Sequence, residues 1–178
     1  MPENLKEGAV AGGVAYVVGY VLTFVWKAGD YEETFEAVRP IANFLGAETP
    51  PVWKIVGWIF YSAHFVESRV DWAFGTYHTN LVQSGDGNLQ LLYLVPPLLL
   101  ATAGYFVAKR GELDEMMDAV RSGAKVTVGY LPLVFVGALL FRVGDSGPGL
   151  VPSVLVAGII IPLIFGSIGG VIARGTVK

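Results

Sequence analysis

The chain contains no cysteine, and its only histidines are His64 and His78. The first absence excludes disulfides, thiolate nucleophiles and cysteine metal sites. The two histidines do not form an HExxH pair, which excludes a zinc protease of that type. A GxSxG elbow, a phosphate-cradling GxxxxGK loop and a pair of intramembrane aspartates are also missing, so nothing assembles a nucleophile, a base and an oxyanion site. The sequence is therefore read as a non-enzyme that needs no cofactor.

Positive charge is scarce as well. Twelve Lys and Arg stand against fifteen Asp and Glu, a net charge of −3. No basic patch could neutralise a row of phosphates, so nucleic acid is not an expected partner. Charged residues make up only 15% of the chain while 53% is hydrophobic. The apolar residues come in long blocks, which is a membrane composition.

Charge-free runs extend over Gly8–Trp26, Leu89–Ala108, Val126–Phe141 and Ser146–Ala173. A helix needs roughly 20 apolar residues to cross the hydrocarbon layer, and each run approaches or exceeds that. A fifth stretch, Pro50 to Trp72, decides the topology. As one helix it would align Lys54, Tyr61, His64, Ser68 and Asp71 on a single polar face, with Ile55, Val56, Ile59 and Ala63 behind them. Its charge-free core is short, but Lys54 can snorkel and polar anchors lie about 22 residues apart. The stretch reads as a span, or as a re-entrant or surface segment if it falls short.

The expected fold is therefore all-α, one polytopic transmembrane helix bundle over residues 1–178. Its spans fall near 8–26, 51–71, 89–108, 125–142 and 149–173, or four of these if 50–72 is re-entrant. Two amphipathic surface helices are expected at Asp30 to Gly46, interrupted at Pro40, and at Gly111 to Ser122. Phe74 to Asn88 reads as a loop, and Pro96-Pro97 should kink or break the third span. With five spans the positive-inside rule places the N-terminus outside and the C-terminus in the cytoplasm of a multi-pass cell-membrane protein.

Small residues one turn apart, Gly8 with Gly12 and Gly166 with Gly170, are candidate helix-packing positions. The partners expected are membrane lipid and either another membrane protein or a second copy of the chain. His64 is the one ionisable residue central to a span. It reads either as part of a polar path or as a neutral ring hydrogen-bonded to Tyr61, Tyr16, Tyr20 or a backbone carbonyl. On this basis the chain is a structural or accessory component binding within the membrane, with a small transporter or channel built around His64 as the alternative.

The segments GAVAGGVAYVVGYVLTF (Gly8–Phe24) and ETPPVWKIVGWIFYSAHFVES (Glu48–Ser68) resemble an uncharacterised family of small multi-spanning membrane proteins from halophilic archaea. The resemblance covers most of the chain, and its most specific part is ETPP-x-WK-x-VGW-x-FYSAHFV. It implies an archaeal plasma membrane and acidic outer segments suited to high salt. It implies no activity.

Overall fold

The computed structural model describes residues 2–44, 49–72, 75–85, 87–111 and 115–176. Helix α1 (Pro2–Phe44) runs unbroken for 43 residues. The surface helix expected from Asp30 is instead the continuation of α1, which passes through Pro40. That proline removes a single donor, and at an exposed position water can satisfy the carbonyl it frees. Leu45, Gly46 and the side chains of Phe35, Val38, Ile41 and Ala42 lie outside the described residues.

The stretch from Pro50 to Trp72 is not one helix. Helix α2 (Val52–Ser62) has 11 residues, about 16 Å at 1.5 Å per residue, against roughly 30 Å of hydrocarbon. Phe65 then adopts a left-handed φ of 61°, which no continuing helix tolerates. Its ring stacks on Tyr93, with centroids 4.6 Å apart. The chain turns into strand β1 (Ser68–Trp72), which pairs antiparallel with β2 (Gly75–Thr79), Val70 opposite Tyr77. On its other edge Ser68 and Arg69 pair with β3 (Gly147–Pro148). The fold is thus helical with a small three-stranded sheet in the order β2-β1-β3, and part of the expected loop after Phe74 is a strand.

A 3-10 helix, Gly87–Leu94, leads into α3 (Val95–Lys109). Pro96 and Pro97 occupy the first turn of α3, where backbone N–H groups have no intrahelical acceptor, so neither breaks a bond. The second expected surface helix is α4 (Met116–Ala124), which packs on the last helix and continues after a two-residue turn as α5 (Thr127–Leu140). Glu112, Leu113 and Asp114 lie outside the described residues. The last helix, α6 (Leu150–Thr176), is π-helical from Ser153 to Ile160.

Four segments are long and apolar enough to cross a membrane: Leu5–Glu33, Gly87–Lys109, Met116–Leu140 and Leu150–Thr176. The first and last described turns of the chain lie at one end of the bundle. Glu7 meets Arg110 at 3.8 Å, and the Tyr105 hydroxyl lies 3.4 Å from Thr176 Oγ1. At the other end the Lys54 ammonium donates to the Arg142 carbonyl, the Tyr20 hydroxyl to the Trp53 carbonyl, and the Gly149 N–H to the Glu67 carbonyl.

Glycines bring the helices into backbone contact. A Cβ on Gly12 would collide with the Val126 carbonyl, and one on Gly8 would lie 2.5 Å from Lys125 Cβ. Gly166 meets the Gly123 carbonyl, Gly170 meets Ala119, and Gly104 faces Gly166. All four glycines expected to mediate packing are therefore engaged within the chain, where small residues let backbones approach closely.

Candidate functional site

Helix α2 runs antiparallel to α5 and is tied to it by a ladder of side-chain bonds. Lys54 Nζ reaches the Arg142 carbonyl at 2.7 Å, Trp58 Nε1 the Phe141 carbonyl at 2.8 Å, and the Tyr61 hydroxyl the Val134 carbonyl at 2.5 Å. Gly57 makes room, since a Cβ there would enter the Phe141 ring. The opposite, aliphatic face of α2 is covered by protein. Ile55, Ile59 and Ala63 are at most 3% exposed and pack with Val82, Leu89 and Leu92. A helix apolar behind and hydrogen-bonded in front is buried on both sides.

Such a helix ends away from water, so its last four carbonyls need partners. Each has one. The Ile59 carbonyl accepts from the Ala63 N–H and the Tyr61 carbonyl from the N–H groups of His64 and Val66. The Ser62 carbonyl accepts from the Phe65 N–H and from Asn80 Nδ2. The remaining carbonyl, that of Phe60, lies 2.7 Å from His64 Nδ1. A carbonyl oxygen can only accept, so Nδ1 carries the proton.

That assignment fixes the rest of the ring. His64 Nε2 is left as an acceptor, and the Tyr130 hydroxyl, 2.6 Å away, donates to it. His64 is thus a side-chain cap on the end of α2, held in one tautomer by a tyrosine of α5. Beside it the Tyr16 hydroxyl of α1 lies 3.2 Å from the Tyr61 hydroxyl. Because Tyr61 gives its own proton to Val134, Tyr16 donates to Tyr61. His64, Tyr61 and Tyr130 are each 1% exposed. Phe60 closes the group edge-on, 4.8 Å from the His64 ring and 5.2 Å from that of Tyr16.

The polar face expected on one helix is therefore divided. Lys54 and Tyr61 stand on α2, and His64 lies in the turn beyond it. Ser68 and Asp71 belong to β1, away from the cluster. Ser68 is buried, with no hydrogen-bond partner for its hydroxyl among the described residues. Asp71 accepts from the Thr76 hydroxyl and from Arg69 Nε, which hold its carboxyl below the usual value. Of the partners expected for His64, a backbone carbonyl is used, whereas Tyr16 engages Tyr61 and Tyr20 engages Trp53. The tyrosine at the ring is Tyr130, which in sequence is only an aromatic early in a span. Asn80 also gives no signal in sequence, although its Oδ1 accepts from Val82 N, Gln83 N and the Tyr93 hydroxyl. Among the described residues no three His, Asp or Glu side chains gather as a metal site.

These features define a class: a helical protein with four membrane-compatible helices, a short helix buried among them and a buried tyrosine-histidine cluster at that helix's end. Residues 2–176 match DUF7978, a family of unknown function, and the chain belongs to that family. No curated protein and no solved structure matches it.

Proposed function

We propose that this protein is a multi-pass membrane component with a structural or accessory role, in which the His64 cluster locks a re-entrant helix in place and carries no solute. One observation supports this above others: the two ring nitrogens of His64 and the hydroxyl protons of Tyr16, Tyr61 and Tyr130 are all committed to one another or to backbone carbonyls. A transport site needs polar groups that can let go of the protein and take up a solute. Backbone contact at Gly104, Gly123 and Gly166 adds to the argument, because alternating access requires helices to slide.

In this reading residues 1–178 form one transmembrane unit with four crossings, and α2 enters and leaves on one side. The opposite placement of the termini expected from five crossings is replaced by termini on one side. We place them in the cytoplasm, the side the positive-inside rule favours by the narrow margin of the six cations Lys6, Lys109, Arg110, Arg121, Lys125 and Arg174 at that end. Lys27, Arg39, Lys54, Arg69 and Arg142 are at the other. The resemblance to haloarchaeal proteins suggests the membrane of a halophilic archaeon. Partners are membrane lipid and either another membrane protein or a second copy of the chain.

A small transporter or channel is the second reading. It draws on the π-helical turn at Ser153–Ile160, since such irregular helix is frequent at functional sites. Ion flux into liposomes reconstituted with the protein separates the two. The structural reading predicts flux equal to that of empty liposomes. Flux that disappears in Tyr130→Phe would overturn it.

A further inference from the structure

We propose that the cleft between the start of α1 and the end of α3 is a binding site for one phospholipid whose headgroup carries an anionic phosphate and a free hydroxyl. The cleft has a volume of about 400 Å³. Its walls are apolar, from Val10 and Val14 on α1 and Phe106 on α3, and its mouth is formed by Lys6, Glu7 and Arg110. Val10, Val14 and Phe106 are each more than half exposed, so they offer an open track for an aliphatic chain.

The mouth specifies the headgroup. Lys6 and Arg110 provide two cations against the single carboxylate of Glu7, leaving net positive charge where a lipid phosphate would sit. Arg110 spends little of its charge on Glu7, since their closest approach is 3.8 Å and the Arg110 side chain remains 70% exposed. Glu7 contributes a second requirement. Its Oε2 is buried and has no hydrogen-bond partner among the described residues, a costly state for a carboxylate oxygen unless a donor reaches it. A fully ionised phosphate has no donor to give and would be repelled by that oxygen, so the comparison with phosphatidic acid is made above its second ionisation. A glycerol-type headgroup satisfies both ends, with its phosphate on Lys6 and Arg110 and its hydroxyl donating to Glu7. The cleft opens at the bundle end where Glu7 meets Arg110, at the depth where lipid headgroups meet Lys and Arg side chains.

This inference rests on the membrane placement proposed above, and the test separates the two. The delipidated full chain in detergent is titrated with phosphatidylglycerol, phosphatidylcholine and phosphatidic acid of identical acyl chains, and bound lipid is counted by native mass spectrometry. The site predicts that phosphatidylglycerol binds about tenfold more tightly than phosphatidylcholine, the scale of a charge-assisted hydrogen bond. Lys6→Gln with Arg110→Gln should abolish that preference. Glu7→Gln should erase the advantage of phosphatidylglycerol over phosphatidic acid. Unchanged melting of each variant shows that it is folded. Equal binding of phosphatidylglycerol and phosphatidylcholine, or a preference that survives loss of both cations, overturns the site. Failure of the reconstituted protein to float with liposomes overturns the membrane placement instead.

Discussion

The imidazole of His64 accepts a hydrogen bond from the Tyr130 hydroxyl at 2.6 Å, across 66 residues of sequence, while its other nitrogen caps the Phe60 carbonyl. This one ring joins the end of a short helix to the wall of the bundle. His64→Leu strands the Tyr130 hydroxyl and the Phe60 carbonyl together, and should cost about 2–4 kcal/mol. Tyr130→Phe should cost about 1–2 kcal/mol, because only Nε2 loses its partner. Thermal unfolding in detergent reads both. The double variant should cost less than the two singles combined, since the second change removes a group already stranded. Strict additivity would mean that the two side chains do not interact.

The tautomer is a separate expectation. Nitrogen NMR of the labelled histidine should show the proton on Nδ1 and an unprotonated Nε2. In Tyr130→Phe the proton should stay on Nδ1, since the Phe60 carbonyl is still there to accept it. A ring protonated at Nε2 alone would contradict the cap.

Asn80 holds the same helix end from outside. Its amide nitrogen binds the Ser62 carbonyl while its oxygen takes three donors, among them the buried Val82 N–H. Asn80→Ala should therefore loosen the junction before the bundle melts. Hydrogen exchange at the Val82 and Gln83 amides should rise by at least tenfold, while amides in the middle of α3 stay protected. Uniform acceleration along the chain would show that Asn80 is not a local clasp.

Glycine substitutions should divide sharply by position. Gly123→Ala forces a methyl group onto the Gly166 carbonyl, and Gly12→Ala onto that of Val126; both obstacles are backbone and cannot swing aside. Each should cost about 2 kcal/mol or more, in the range for overpacking. Gly29→Ala meets nothing within 4 Å and should stabilise α1 by about 0.5–1 kcal/mol. Similar melting temperatures for Gly29→Ala and Gly123→Ala would refute the close seam.

The four helices long and apolar enough to cross a membrane were legible because each follows a long apolar run in the sequence. The end of α2 was not. Through Asp71 the spacing of Lys54, Tyr61, His64 and Ser68 continues to fit a helix, and nothing local announces that Phe65 turns left-handed. What stops the helix is tertiary, namely the Tyr93 stack and the clasp of Asn80. A weaker signal did exist for the hairpin: Val70, Trp72, Thr76, Tyr77 and Thr79 are β-branched or aromatic residues around Gly75, a composition that favours strands over a loop. Half of the site, Tyr61 and His64, could be named from sequence. Tyr16 could be named only as a candidate partner of His64, and Tyr130 only as a span residue, because pairing across 66 positions leaves no periodic trace.

The central claim is that α2 enters and leaves on one side. The chain has no cysteine, so a single introduced thiol reports its own side without background. Glu36 and His78 are both exposed and flank α2 in sequence, and Gly175 marks the other end of the bundle. In intact cells a membrane-impermeant maleimide should label Glu36→Cys and His78→Cys equally, and should reach Gly175→Cys only after the membrane is opened. Labelling of His78→Cys with protection of Glu36→Cys would mean that the segment between them crosses the membrane, and the re-entrant account would be wrong.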